Sequence, residues 1–167
     1  GNGGRVYLRR CATLEVWDGS AYTHATFQTP GRILTVDAAG HALVVEPAAS
    51  GTSPQWSLRL IDPATNRALS QFGPFDREPL CADLNRDNTR LAVGLRPPRQ
   101  TVSEALGDVF EVWDASAARR LSRLAPPPPL LTDTRNSLAM SCLVTFSPDS
   151  TRLATSGATV HVWQTAS

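Results

Sequence analysis

The sequence predicts an all-β chain, a β-propeller of about three and a half four-stranded antiparallel blades. Three observations predict it. The same strand ending occurs four times: Leu14-Glu15-Val16-Trp17-Asp18, Leu58-Arg59-Leu60-Ile61-Asp62, Phe110-Glu111-Val112-Trp113-Asp114 and Val160-His161-Val162-Trp163-Gln164. Each alternates apolar and polar residues and closes on a large apolar side chain, as a strand with a packed face does. Short turn signals recur between the strands, and the units superpose on one another at fixed offsets.

The first unit, about 1–28, holds strands at Arg5–Arg9 and Thr13–Trp17, then a polar turn at Gly19-Ser20-Ala21 and an outer strand at Tyr22–Phe27. It has no innermost strand. The second, about 30–72, opens on Leu34 and Val36. It turns at Ala38-Ala39-Gly40-His41, where glycine supplies a positive φ, and returns through Leu43-Val44. After its ending, Pro63-Ala64-Thr65-Asn66 leads to an outer strand at Arg67–Phe72. The third, about 78–124, runs through Leu80, Ala82 and Leu84, then Asp87 to Ala92, and finishes at Arg119–Leu124. The fourth, about 138–167, contains Cys142–Phe146, the tight turn Ser147-Pro148-Asp149-Ser150, the returning strand Thr151–Thr155, and Thr159–Trp163. Alternation predicts that Leu34 with Val36, Leu80 with Ala82 and Leu84, and Val144 with Phe146 each share one sheet face. The first and last units are incomplete, so the array reads as part of a larger ring. Closure by association of two chains is the alternative.

Composition narrows the function classes. The chain has 167 residues and a formal net charge of +1, which gives no field for nucleic acid. No apolar run reaches the roughly 20 residues that span a bilayer, so no membrane association is expected. No secretory leader is visible and the cytoplasm is favoured, although the chain begins at Gly1 without a methionine. All sixteen basic residues are arginine. They are scattered, which reads as GC-rich codon usage, and so as a bacterial source, more than as selection for bidentate anion contacts. The three cysteines, Cys11, Cys81 and Cys142, form no CxxC pair and are odd in number, so neither a disulfide framework nor a zinc site is expected. Cys81 and Cys142, at the starts of apolar strands, are read as small core residues.

No catalytic, cofactor or metal site is predicted. His24, His41 and His161 lie in different units, and no HExxH, nucleophile elbow or phosphate-cradling loop is present. The recurrent Asp18, Asp62 and Asp114 read as turn chemistry. A channel acid would have to come from Asp37 or Asp83, and neither carries that reading far.

Phe146-Ser147-Pro148-Asp149, then Arg152-Leu153-Ala154-Thr155-Ser156-Gly157, then Thr159-Val160-His161-Val162-Trp163 resembles a WD repeat, and the Val-Trp-Asp endings at 16–18 and 112–114 extend the likeness across most of the chain. The resemblance implies a rigid ring, seven-bladed when whole, that binds a protein or peptide partner without covalent chemistry. It also implies that such an array can follow a kinase-like or NTPase-like effector domain. The family's Gly-His pair is absent from every unit, and so is the aspartate of its Ser-x-Asp-Gly-Thr turn. The buried tetrad that joins those groups to a serine or threonine and the tryptophan is therefore not expected, which leaves apolar packing to hold the blades. The competing function is a propeller enzyme, of hydrolase or lyase type, whose catalytic residues lie outside this chain.

Loop lengths carry the functional expectation. The second unit has about eight extra residues around Pro47–Gln55, and the third about twelve around Arg96–Gly107. A proline-rich connection runs from Ala125 through Pro126–Pro129 to Ser137. All three should open on one face of the propeller, the usual binding face of a repeat protein. Pro47, Gln55, Arg96, Arg99, Glu104, Pro127 and Arg135 are the candidate contact residues.

Overall fold

Period-two hydrophobicity gives the chain its strands, and within each sheet every strand pairs with its neighbours along the chain. The computed structural model describes residues 5–18, 23–48, 55–96, 109–124, 142–156 and 160–165. Fourteen strands are formed there: β1 (Arg5–Arg10), β2 (Thr13–Asp18), β3 (Thr23–Gln28), β4 (Arg32–Val36), β5 (Ala42–Ala48), β6 (Gln55–Asp62), β7 (Arg67–Phe75), β8 (Pro79–Leu84), β9 (Arg90–Leu95), β10 (Val109–Asp114), β11 (Arg119–Leu124), β12 (Leu143–Phe146), β13 (Arg152–Ser156) and β14 (Val160–Gln164). They make four antiparallel meanders, β1-β2-β3, β4-β5-β6-β7, β8-β9-β10-β11 and β12-β13-β14. Neighbours in the chain are neighbours in each sheet, as short hairpin connections require.

The sheets pack face to face in chain order, with β4, β8 and β12 side by side. Three apolar cores lie between them. Leu14 of the first sheet meets Ile33, Ala42, Val44 and Ile61 of the second, with Tyr7, Val16 and Phe27 at the margin. Leu43, Leu58, Leu60 and Phe72 of the second meet Leu91, Val93 and Trp113 of the third. Ala92, Phe110 and Val112 of the third meet Val144, Phe146 and Leu153 of the fourth. Alternation thus buries both faces of each middle sheet, leaving the polar positions at the rims and outer edges. This is an all-β propeller-type arrangement of successive sheets, and it does not close.

Two sequence expectations change here. Leu34 and Val36 do not share a face: Leu34 packs toward the third sheet and Val36 toward the first. A register shift between Ile33 and Thr35 is the cause, because one extra residue inverts every side chain beyond it. The outer strand of the second sheet also continues past Phe72 to Phe75, whose ring packs at a 57° tilt against that of Trp113, with centroids 5.1 Å apart.

The repeat extends to backbone chemistry. Asn88 and Ser150 hold φ of 57° and 60° at the same point of equivalent turns, and Asn66 and Ala118 hold 54° and 48° in another pair. At the start of the inner hairpins, three different side chains perform one task. The His41 N–H donates to Asp37 Oδ1 at 2.8 Å, the Arg90 N–H to Asn85 Oδ1 at 2.8 Å, and the Arg152 N–H to Ser147 Oγ at 2.9 Å. A short side-chain oxygen closes each turn against its own backbone.

Candidate functional site

Strand polarity defines two rims. The inner strands β4, β8 and β12 begin on one rim, where β5, β9 and β13 end. The connections 49–54, 97–108 and 125–141 all leave and rejoin the described sheets on that rim. Arg99, Glu104, Pro127 and Arg135 belong to these connections and lie outside the described residues. Pro47 and Gln55 do not belong to a loop. Pro47 is in β5 opposite Trp56, and Gln55 opens β6 opposite Ala48. Part of the predicted insertion therefore lengthens the hairpin, because Trp56 gains a strand pairing with Pro47 on one side and Phe75 on the other.

Arg96 directly follows β9 on this rim and is committed to a network that sequence reasoning missed. Its Nε and Nη2 approach Glu78 Oε2 at 2.8 and 2.6 Å. Arg32 Nη2 donates to Glu78 Oε1 at 3.0 Å and to the Pro79 carbonyl at 2.9 Å. Glu78 thus bridges an arginine of its own sheet and one of the preceding sheet, and the trio carries one net positive charge beside the inner strands. Charge-assisted contacts of this kind fix side-chain position more than they add stability when half-exposed. Glu78 and Arg32 sit just before and at the start of an inner strand. Nothing in their local sequence signals that they meet.

The two acids considered for a channel are structural. The Asp37 side chain is fully buried and accepts from the Ala39 and His41 N–H groups, from His41 Nδ1 at 2.9 Å and from Asn88 Nδ2 at 2.8 Å. The last bond crosses from the second sheet to the third. Asp83 crosses from the third to the fourth, accepting from the Phe146 N–H at 2.8 Å. Burial pushes the Asp83 carboxyl above the ordinary aspartate range, against those hydrogen bonds.

The strand-end aspartates do serve turns. Asp62 accepts from the Ala64 N–H and the Thr65 hydroxyl, and Asp114 from the Ser116 and Ala117 N–H groups, which lowers the pKa of both. Asp18 accepts from Arg5 Nε at 3.2 Å, and the turn after it lies outside the described residues.

Of the tetrad expected to be missing, one link forms. Trp163 Nε1 donates to the buried Thr155 hydroxyl at 2.9 Å. Trp113 Nε1 donates instead to Glu111 Oε2 at 3.0 Å, and Arg120 holds the other oxygen of that carboxylate at 2.9 Å.

The cysteine expectation is corrected. Cys81 and Cys142 are joined in a disulfide, with Cα atoms 5.8 Å apart, and Cys11 is free and exposed. The two are distant in sequence yet occupy nearly equivalent places, Cys81 in β8 and Cys142 just before β12. The repeat alignment held that signal, because equivalent inner-strand positions of consecutive units are spatial neighbours.

On the opposite rim, an open groove of about 500 Å³ lies between the turns at 85–90 and 147–152. Its carboxylates, Asp87 and Asp149, are engaged with the Thr89 and Thr151 hydroxyls of their own turns. Among the described residues no group of His, Cys, Asp and Glu is placed to hold a metal ion. The fold and the rim define a class: an all-β protein of repeated sheets in propeller-type order. No family model matches the chain, and no curated protein matches it in sequence.

Proposed function

We propose that the chain is a binding module of WD-repeat type, which recognises a protein or peptide partner by equilibrium contact with the rim that carries the long connections. The observation that supports this reading is the shared origin of 49–54, 97–108 and 125–141 on one rim, while the described hairpins on the other rim close in tight turns. Insertions confined to one side of a repeat array vary contacts without disturbing the packed sheets. Glu78, Arg32 and Arg96 give that rim a fixed polar base.

The flanking faces serve a second part of the same reading. Val6 and Leu8 are 63% and 42% exposed on the first sheet, and Leu143, Val160 and Val162 are 57%, 70% and 65% exposed on the last. Val160 and Val162 correspond to Leu58 and Leu60 and to Phe110 and Val112, which are covered by the next sheet. These faces have the chemistry of blade-to-blade packing, and further blades of the same kind are their proposed occupants.

The test is selection of binders from a displayed peptide library, followed by affinity measurement on two variants. Arg99→Glu with Arg135→Glu, within the long connections, is expected to weaken selected peptides at least tenfold. Arg152→Glu, on the other rim, is expected to leave them unchanged. Equal loss in both variants, or loss only in the second, would overturn the assignment of the rim.

A further inference from the structure

We propose that Cys81 and Cys142 form a redox-sensitive latch that holds the fourth sheet against the third. The disulfide joins β8 to the residue just before β12, across a sequence separation of 61. It lies at an interface whose apolar core is less than half the size of the one between the second and third sheets. Among the described residues, six buried side chains form the core between the third and fourth sheets, against thirteen between the second and third and five between the first and second.

The polar links follow the same order. The second and third sheets are joined by Arg32 to Glu78 and to two carbonyls, and by Asn88 to Asp37. The fourth sheet is tied to the third through Asp83, whose carboxylate pairs with a backbone N–H and has no cationic partner in the described network. The outer face of the fourth sheet, at Leu143, Val160 and Val162, gains nothing from burial. Its docking therefore depends most on the covalent bond.

The neighbourhood is shaped to the sulfurs. Gly94 of β9 pairs with Cys81, and a Cβ there would meet Cys81 Sγ at 2.6 Å and would collide with Cys142 Sγ. Both cysteines are only half-buried, so a small thiol can reach them.

The chemistry is thiol–disulfide exchange with a low-molecular-weight disulfide such as oxidised glutathione. One cysteine thiolate attacks the small disulfide, forming a mixed disulfide and releasing one small thiol. The second cysteine attacks the mixed disulfide, closing the Cys81–Cys142 bond and releasing the other small thiol. The two cysteine protons end on the two released thiols, and excess small thiol reverses both steps. The latch acts on the fold and is independent of the partner that the rim recognises.

The experiment uses the full chain equilibrated with oxidised or reduced glutathione, then alkylated and mapped by mass spectrometry without reductant. The oxidised sample is expected to yield the peptides of Cys81 and Cys142 linked to each other, with Cys11 alkylated or carrying glutathione. Hydrogen exchange is then compared between the two samples. On reduction, amides of β12–β14 are expected to exchange at least tenfold faster, with those of β5, β6 and β9 unchanged. The Cys81→Ser/Cys142→Ser variant should match the reduced protein in both conditions; the wild-type comparison stands alone if that variant does not fold. Alkylation of both cysteines in the oxidised sample, or equal exchange in β12–β14 in both samples, would overturn the proposal.

Discussion

Asp149 shows how much of this fold rests on single short side chains. It accepts from the Ser147 hydroxyl, the Thr151 N–H and the Thr151 hydroxyl, and these bonds lower its pKa to about 2. Asp62, Asp87 and Asp114 are lowered for the same reason. A carboxylate with a folded pKa below its unfolded value contributes stability above the unfolded pKa, and loses it as pH falls through the folded one. Denaturant midpoints are therefore expected to decline between about pH 4 and pH 2. The Asp149→Ala variant should be less stable at pH 6 and should converge on the parent at pH 2; a parallel offset at both would exclude the turn as the cause. Asp83 has the opposite sign. Its raised pKa gives a contribution that is full below the unfolded value and fades as pH rises through the folded one. Ser150 holds φ of 60°, a region that costs a residue with a Cβ about 1 kcal/mol. Ser150→Gly is expected to raise stability by about 0.5–1 kcal/mol in urea titration. The aspartate turns were readable from the sequence, because Asp followed by Thr or Ser is local chemistry. The burial of Asp37 under Asn88, 51 residues on, was not.

At the scale of elements, the strands were legible nearly to the residue and their faces only in part. A period of two reports that a strand has two sides. It cannot report a bulge, and the shift at Ile33 and Thr35 sends Leu34 and Val36 to different neighbours. The length from Leu43 to Ile61 put Pro47 and Gln55 in a loop, and length cannot tell a longer loop from a longer hairpin. Pairing of Trp56 on both sides makes it a longer hairpin. Close approach is equally invisible in a sequence. Gly94 lies under two sulfurs, with the Phe110 ring also 3.1 Å from where a Cβ would stand. Gly94→Ala is expected to cost about 1–3 kcal/mol, read as a lower denaturant midpoint at unchanged slope. An effect below about 0.5 kcal/mol would mean that the sulfurs can move apart without penalty.

For the whole molecule, the middle sheets have both faces covered and the outer sheets have one each. Val6 and Leu8 at one end, with Val160 and Val162 at the other, offer surfaces of the kind that the middle sheets bury. Surfaces of two different types on one molecule join head to tail. Sedimentation velocity of the 167-residue chain is expected to show association that increases with concentration. Val160→Arg with Val162→Arg should suppress it while leaving the strand spectrum intact. A strictly monomeric parent at high concentration would count against the flanks as packing faces. The cross-sheet disulfide closes a long loop, which chain entropy values at about 4 kcal/mol, comparable with the burial of several core side chains.

By itself, the sequence determined the strands, their order, the turns between them and their grouping into repeated sheets, because each depends on residues close along the chain. It also placed the long connections on one rim, since strand direction alternates and the rim follows from counting. Tertiary structure alone decided the links between sheets: Arg32 to Glu78, Asn88 to Asp37, Asp83 to the Phe146 N–H, and Cys81 to Cys142. Each joins groups 46 or more positions apart, where local preference carries no information. Only the stacking of one sheet on the next brings those groups within bonding distance.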